Sequence, residues 1–117
     1  MTRSPVIEFG LSVLASAYSA RTGRCSAWDV VRLQSVALRC VPDDARARAM
    51  VLTFTDTVRG DVKSAGARLA QEVYDWLDSL PVETRYDIEK SANPGALCAH
   101  QERASVQYDW QNRADLK

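Results

Sequence analysis

The sequence predicts a mainly α protein. We expect a small bundle of about four to five helices built around one long helix, straight or kinked, with a short extended segment near the C-terminus. Three observations predict it. Apolar residues recur at steps of three and four over most of residues 5–80, the spacing of one helix face. Ser, Asp, Pro and Gly stand where helices start and stop. Two-residue alternation, the rhythm of a strand, is confined to residues 82–90 and 104–111.

The first helix opens at Ser4-Pro5, because proline suits the first helical position. Ile7, Leu11, Leu14 and Tyr18 form its apolar row, with Val6, Val13 and Ala17 beside them. Gly23 ends it through a left-handed turn. Gly10 weakens its middle but leaves room for a second helix to come close. "SAWD" opens the second helix as a capping box, Ser26 with Asp29 three residues on. Val30, Leu33, Ala37 and Val41 make its apolar row, widened by Val31 and Leu38. Asp29, Arg32, Ser35 and Arg39 take the other side. Pro42 stops it, lacking an amide hydrogen and holding Val41 extended.

Asp43 or Asp44 caps the next helix. From there Ala47, Val51, Phe54, Val58, Val62, Ala65, Leu69, Val73, Trp76 and Leu80 follow at steps of three and four without a phase error. The unbroken phase favours one helix from about 43 to 80, roughly 55 Å long at ~1.5 Å per residue. Gly60 and the neighbouring threonines leave a kink, or two helices in line, as the alternative. Beyond Leu80-Pro81, residues 82–90 read as a short helix that also alternates like a strand. Residues 96–104 read as helix. Residues 104–117 read as an extended tail or arm, with Tyr108 and Trp110 on one side.

At 117 residues the chain is sized for a single domain, and its 46% apolar and 26% charged residues are ordinary for a globular one. Fifteen basic residues balance fifteen acidic ones, with a mild asymmetry: residues 1–60 carry +3 (eight against five) and residues 61–117 carry −3 (seven against ten). Neither half is the concentrated basic surface that binds phosphate backbones. Three widely spaced cysteines, Cys25, Cys40 and Cys98, are no disulfide framework and suit a reducing cytoplasm. Glu8 interrupts the apolar run a secretory signal would need. No apolar stretch approaches the ~20 residues of a membrane span.

The chain carries none of the phosphate-cradling, dinucleotide, nucleophile-elbow or zinc-protease motifs. Cys98 and His100 alone fall short of a zinc set, which wants about four ligands. The acidic pairs Asp75/Asp78 and Asp87/Glu89 read as solvated helix faces, and Arg68 with Glu72 as an ordinary helical ion pair. We therefore expect no enzyme, no cofactor and no metal.

Two function classes remain. Helix two, the Pro42 turn and "DDARARAM" loosely resemble a helix-turn-helix, with Arg32, Arg39, Arg46, Arg48 and Arg59 as its basic side. A recognition helix presents its first turn to DNA, and here that turn carries Asp43 and Asp44. In size, composition and lack of a catalytic set, the chain resembles small regulators and inhibitors made by bacteria and their mobile elements, phages among them. Anti-activators of transcription factors and anti-defence proteins belong to that type. The likeness implies a non-enzymatic protein that sequesters or blocks a partner, such as a transcription factor or a defence complex. Trp28, Trp76, Tyr86, Tyr108 and Trp110, with Arg46 and Arg48, are the candidate contacts, since aromatics and Arg dominate interfaces. A homodimer is also expected, because the long apolar stripe outruns the chain left to cover it.

Overall fold

A computed structural model describes residues 4–92 and bears out the all-α bundle. It holds five helices and, among the described residues, no strand: α1 (Pro5–Arg21), α2 (Ala27–Cys40), α3 (Ala45–Thr57), α4 (Val62–Asp78) and α5 (Val82–Ser91). The expected helix at 96–104, the tail at 104–117, Cys98 and His100 lie outside the described residues.

Local chemistry sets the boundaries. Pro5 starts α1, without a side-chain bond from Ser4. Gly23, at φ 75°, turns the chain out of α1. Ser26 and Asp29 form the full capping box: the Asp29 amide donates to Ser26 Oγ (3.3 Å) and the Ser26 amide to Asp29 Oδ2 (2.9 Å). Asp44, not Asp43, caps α3, its Oδ1 accepting from the Ala47 amide at 2.9 Å. Residues 82–91 resolve the helix-or-strand ambiguity as helix.

The single helix over 43–80 is corrected: the chain breaks at residues 58–61 and folds back. Asp61 is extended (φ −149°, ψ 103°) and caps α4, its Oδ1 accepting from the Ser64 amide at 3.2 Å, while Ser64 Oγ donates to Oδ2 at 2.8 Å. Just before the break, the Thr55 and Thr57 hydroxyls donate back to the carbonyls of Val51 (2.9 Å) and Thr53 (2.8 Å). The phase survives because periodicity records which residues face a core, not whether the axis bends. Val58 ends one row, Val62 begins the next, and they happen to be four apart.

Four contacts fix the arrangement. Trp76, late in α4, donates its indole N–H to Oδ2 of Asp44, at the start of α3, at 3.1 Å. With a tight turn joining their other ends, α3 and α4 are an antiparallel hairpin. Phe9 meets Trp76 edge-on, ring centroids 5.2 Å apart, while Ala20 and Arg21 lie against Gly66; α1 therefore runs antiparallel to α4. Gln34 Nε2 donates to Thr55 Oγ1 at 3.0 Å. Gln34 stands six residues before the end of α2 and Thr55 ten residues into α3, so they meet only if α3 turns back along α2. The four helices close a ring around Phe9, Val13, Leu33, Phe54, Leu69, Val73 and Leu77, all buried, and α5 lays Ile88 over Gly10 of α1.

The inward faces of α1 and α2 overlap the expected rows but are rotated from them. In α1 the centre is Phe9, Val13, Ala17 and Ala20, with Leu14 of the expected row buried and Tyr18 left on the rim. In α2 and its C-cap, Leu33, Ala37 and Val41 of the expected row are buried, joined by Val36 and Cys40, whereas Val31 and Leu38 point outward.

Candidate functional site

On α2, Trp28, Val31, Ser35 and Leu38 follow at steps of three, four and three, which puts them on one face at ~100° per residue. The buried residues Leu33, Val36, Ala37 and Cys40 hold the opposite face. Trp28 is 68% exposed, Val31 50% and Leu38 61%. Rows of this kind on a helix are normally turned inward; here the helix has apolar residues on both sides, and only one side meets the bundle. Sequence periodicity alone cannot tell the two sides apart, and it groups Val31 and Leu38 with the core.

The Gln34–Thr55 bond gives the register between α2 and α3. Leu38, one turn beyond Gln34, comes level with the turn of α3 before Thr55, where Leu52 is 58% exposed. Leu52 lies about 160° around α3 from buried Phe54, on the outer side of the seam. Arg48, one turn earlier, reaches back to the Pro42 carbonyl at the end of α2 (3.4 Å). The surface is therefore a three-turn apolar row on α2, joined at one end by Leu52.

Arginines edge this row. Arg32 and Arg39 stand on the side toward α1, Arg39 paired with Glu8 and Arg32 beside the capping Asp29. Arg48 and Arg59 stand on the side toward α3, and both are exposed. Asp29 has its carboxyl held below the usual range by the hydrogen bonds from Ser26, so it stays charged and capping.

The other candidates separate. Trp76 is 1% exposed and belongs to the core, which removes it as a partner contact. Its ring closes on Phe9 and its indole N–H is taken by Asp44. Tyr86 is 61% exposed, on the outer side of α5 next to exposed Val82, with the Lys90 ammonium 5.3 Å from its ring centroid. Since α5 packs on α1, Tyr86 is on a surface apart from the α2 row. Arg46 and Arg48 are both exposed but point nearly opposite ways, two residues apart on a helix. The five arginines expected to form one basic side are thus split. Tyr108 and Trp110 lie outside the described residues.

The remaining chemistry is modest. A cleft of about 70 Å³ between α1 and α2 is lined by Ser12, Ser16, Ser19, Arg32 and Asp29, far below the ~300 Å³ of a typical ligand pocket. Burial pushes the Cys25 and Cys40 thiols up, with Asp29 adding to it at Cys25 and Glu8 at Cys40, so neither is poised as a thiolate. Asp78 pairs with Arg85 (2.6 Å), which also holds Glu89 (3.0 Å); Arg68 pairs with Glu72 (3.1 Å) as expected. Among the described residues, no three His, Cys, Asp or Glu side chains are grouped to hold a metal, and no helix is long and apolar enough to cross a membrane. Comparison of the chain with known protein families, with curated proteins and with solved structures finds no match.

Proposed function

We propose that this chain is a small non-enzymatic regulator or inhibitor that acts by binding another protein, through the outer face of α2 and the adjoining edge of α3. One observation carries the proposal: Trp28, Val31 and Leu38, with the small Ser35 between them, line one exposed face opposite the core of their own helix. Isolated exposed apolar residues are normal on a surface. Three at helical spacing, with a tryptophan at one end and Leu52 joining at the other, make a patch, and patches mark binding sites. Tryptophan and arginine are the residue types that most often dominate interface energy, and both are present.

The helix-turn-helix alternative loses support on the same surface. Asp44 is committed at the first turn of α3 as a cap, and Arg46 faces away from Arg48. Blocking or sequestering a partner needs only a rigid face, which a closed bundle provides.

The experiment is site-specific photo-crosslinking in the cells that make the protein. A crosslinker at Val31 or Leu38 is expected to yield one dominant protein adduct. The same group at Gln71, exposed on α4, is expected to yield none. Equal adducts from both sides, or none from α2, would contradict the proposal. A sequence-specific DNA complex that Arg46→Ala with Arg48→Ala abolishes, in a folded protein, would transfer the function to DNA.

A further inference from the structure

The α2 face restricts what can sit on it. Its row spans Trp28 to Leu38, ten residues and ~15 Å, close to three helical turns. The steps of three, four and three are those of a seam between two helices. Ser35, small and exposed, occupies the middle and lets another backbone come near. The shape therefore suits a helix laid along α2, whose own apolar residues would flank Ser35.

Charge decides which helix. Residues 24–60, which supply α2, α3 and the turns beside them, carry six arginines against four aspartates, with Arg39 paired to Glu8 of α1 and Arg46 facing away from the row. Two of the four hold their charge off the row: Asp29 closes the Ser26 capping box and Asp44 caps α3 and holds Trp76. Asp43 stands in the turn before α3, off the row. Only Asp56 adds an acid to the outer side of α3. Arg32 on one edge, with Arg48 and Arg59 on the other, leaves a positive rim. A second copy of this chain, paired face to face, would bring arginine to arginine around the same row. A basic helix would be repelled likewise.

We infer that the partner presents an amphipathic helix with a row of large apolar residues flanked by glutamates or aspartates, docked along α2 with its acids on Arg32, Arg48 and Arg59. This rests on the protein-binding reading of the same face. The apolar row supplies the affinity, and the arginine rim selects acidic helices and speeds their arrival.

The test uses two labelled synthetic peptides of about eighteen residues. Both carry leucines at the same helical spacing; one has glutamates on the polar face, the other lysines. Fluorescence anisotropy with the full chain is expected to show the glutamate peptide binding at least about tenfold tighter at low salt. That preference should shrink markedly in concentrated salt, because exposed charges are screened. Arg48→Glu with Arg59→Glu should remove or reverse it, and Trp28→Ala with Leu38→Ala should weaken both peptides. All four are surface positions, and circular dichroism of each variant confirms folding. Equal or tighter binding of the lysine peptide, binding of neither, or self-association through α2 would overturn the inference. If crosslinking from Leu38 still captures a protein while the peptides show no charge preference, the binding face stands and the acidic helix falls.

Discussion

Gly66 shows how closely this fold depends on single atoms. A Cβ there would lie 2.4 Å from the Arg21 amide nitrogen and 2.7 Å from Ala20 Cβ. These are backbone and near-backbone atoms, so nothing can swing aside. We predict that Gly66→Ala destabilises by at least about 1–3 kcal/mol, measured by urea unfolding, although alanine is the better helix former. Little change would mean that α1 and α4 are farther apart than described. Gly10 faces Ile88, with Cδ1 at 2.8 Å, and its role as a place of close approach was legible in the sequence. The role of Gly66 was not: it falls inside an unbroken helical pattern, and only the α1–α4 contact gives it meaning. Trp76 is the second case. Trp76→Phe keeps most of the ring but loses the bond to the Asp44 carboxylate. It should cost about 1.5–3 kcal/mol, the usual value for a hydrogen bond to a charged group. Loss of partner binding with unchanged stability would contradict its place in the core. Leu69, 1% exposed, should cost about 2–5 kcal/mol on truncation to alanine.

At the scale of elements, the turn between α3 and α4 is held by Asp61, not by Gly60. Gly60 has no positive φ, and a Cβ on it would meet only the Thr57 carbonyl at 3.7 Å. Gly60→Ala should therefore be neutral or stabilising by about 0.4–1 kcal/mol, through a less flexible unfolded chain. Asp61→Ala should lower the melting temperature, because the first amides of α4 lose their acceptor. A large loss from Gly60→Ala, or none from Asp61→Ala, would reverse that assignment. The same caps set a pH dependence. Hydrogen bonds from Ser64 hold the Asp61 carboxyl down, as those from Ser26 hold Asp29. A carboxyl whose folded pKa is depressed stabilises fully above its unfolded pKa near 4 and loses that contribution as pH falls toward the folded value. Thermal melts should thus weaken below about pH 4–5, and less so in Asp61→Asn. Helix existence, the Ser26 box and the Pro42 stop were legible because each has a local chemical signature. The break at 58–61 was not. Its signal, aspartate followed by serine three residues on, was present at Asp61 and Ser64 but was overridden by an unbroken apolar period.

For the whole molecule, the break is what lets the chain close its own core. A straight rod would have left Leu69, Val73 and Trp76 uncovered. Folded back on α3 and covered by α1, all three are buried, and the reason for expecting a dimer through that stripe is gone. What stays open is the α2 row, with Leu52 beside it, rimmed by arginines. The sequence singles out Trp28, which the structure leaves 68% exposed. It does not single out Val31, Leu38 and Leu52, because a two-faced helix gives no sign of which face its neighbours will take. Among the described residues the bundle closes over the α4 stripe and keeps an exposed apolar row along α2. Multi-angle light scattering, from low to high micromolar concentration, tests this closure most directly. One species of 13.0 kDa is expected throughout, unchanged by Trp28→Ala. A species of twice that mass that grows with concentration and survives Trp28→Ala would place the α4 stripe at an interface and contradict the closed bundle.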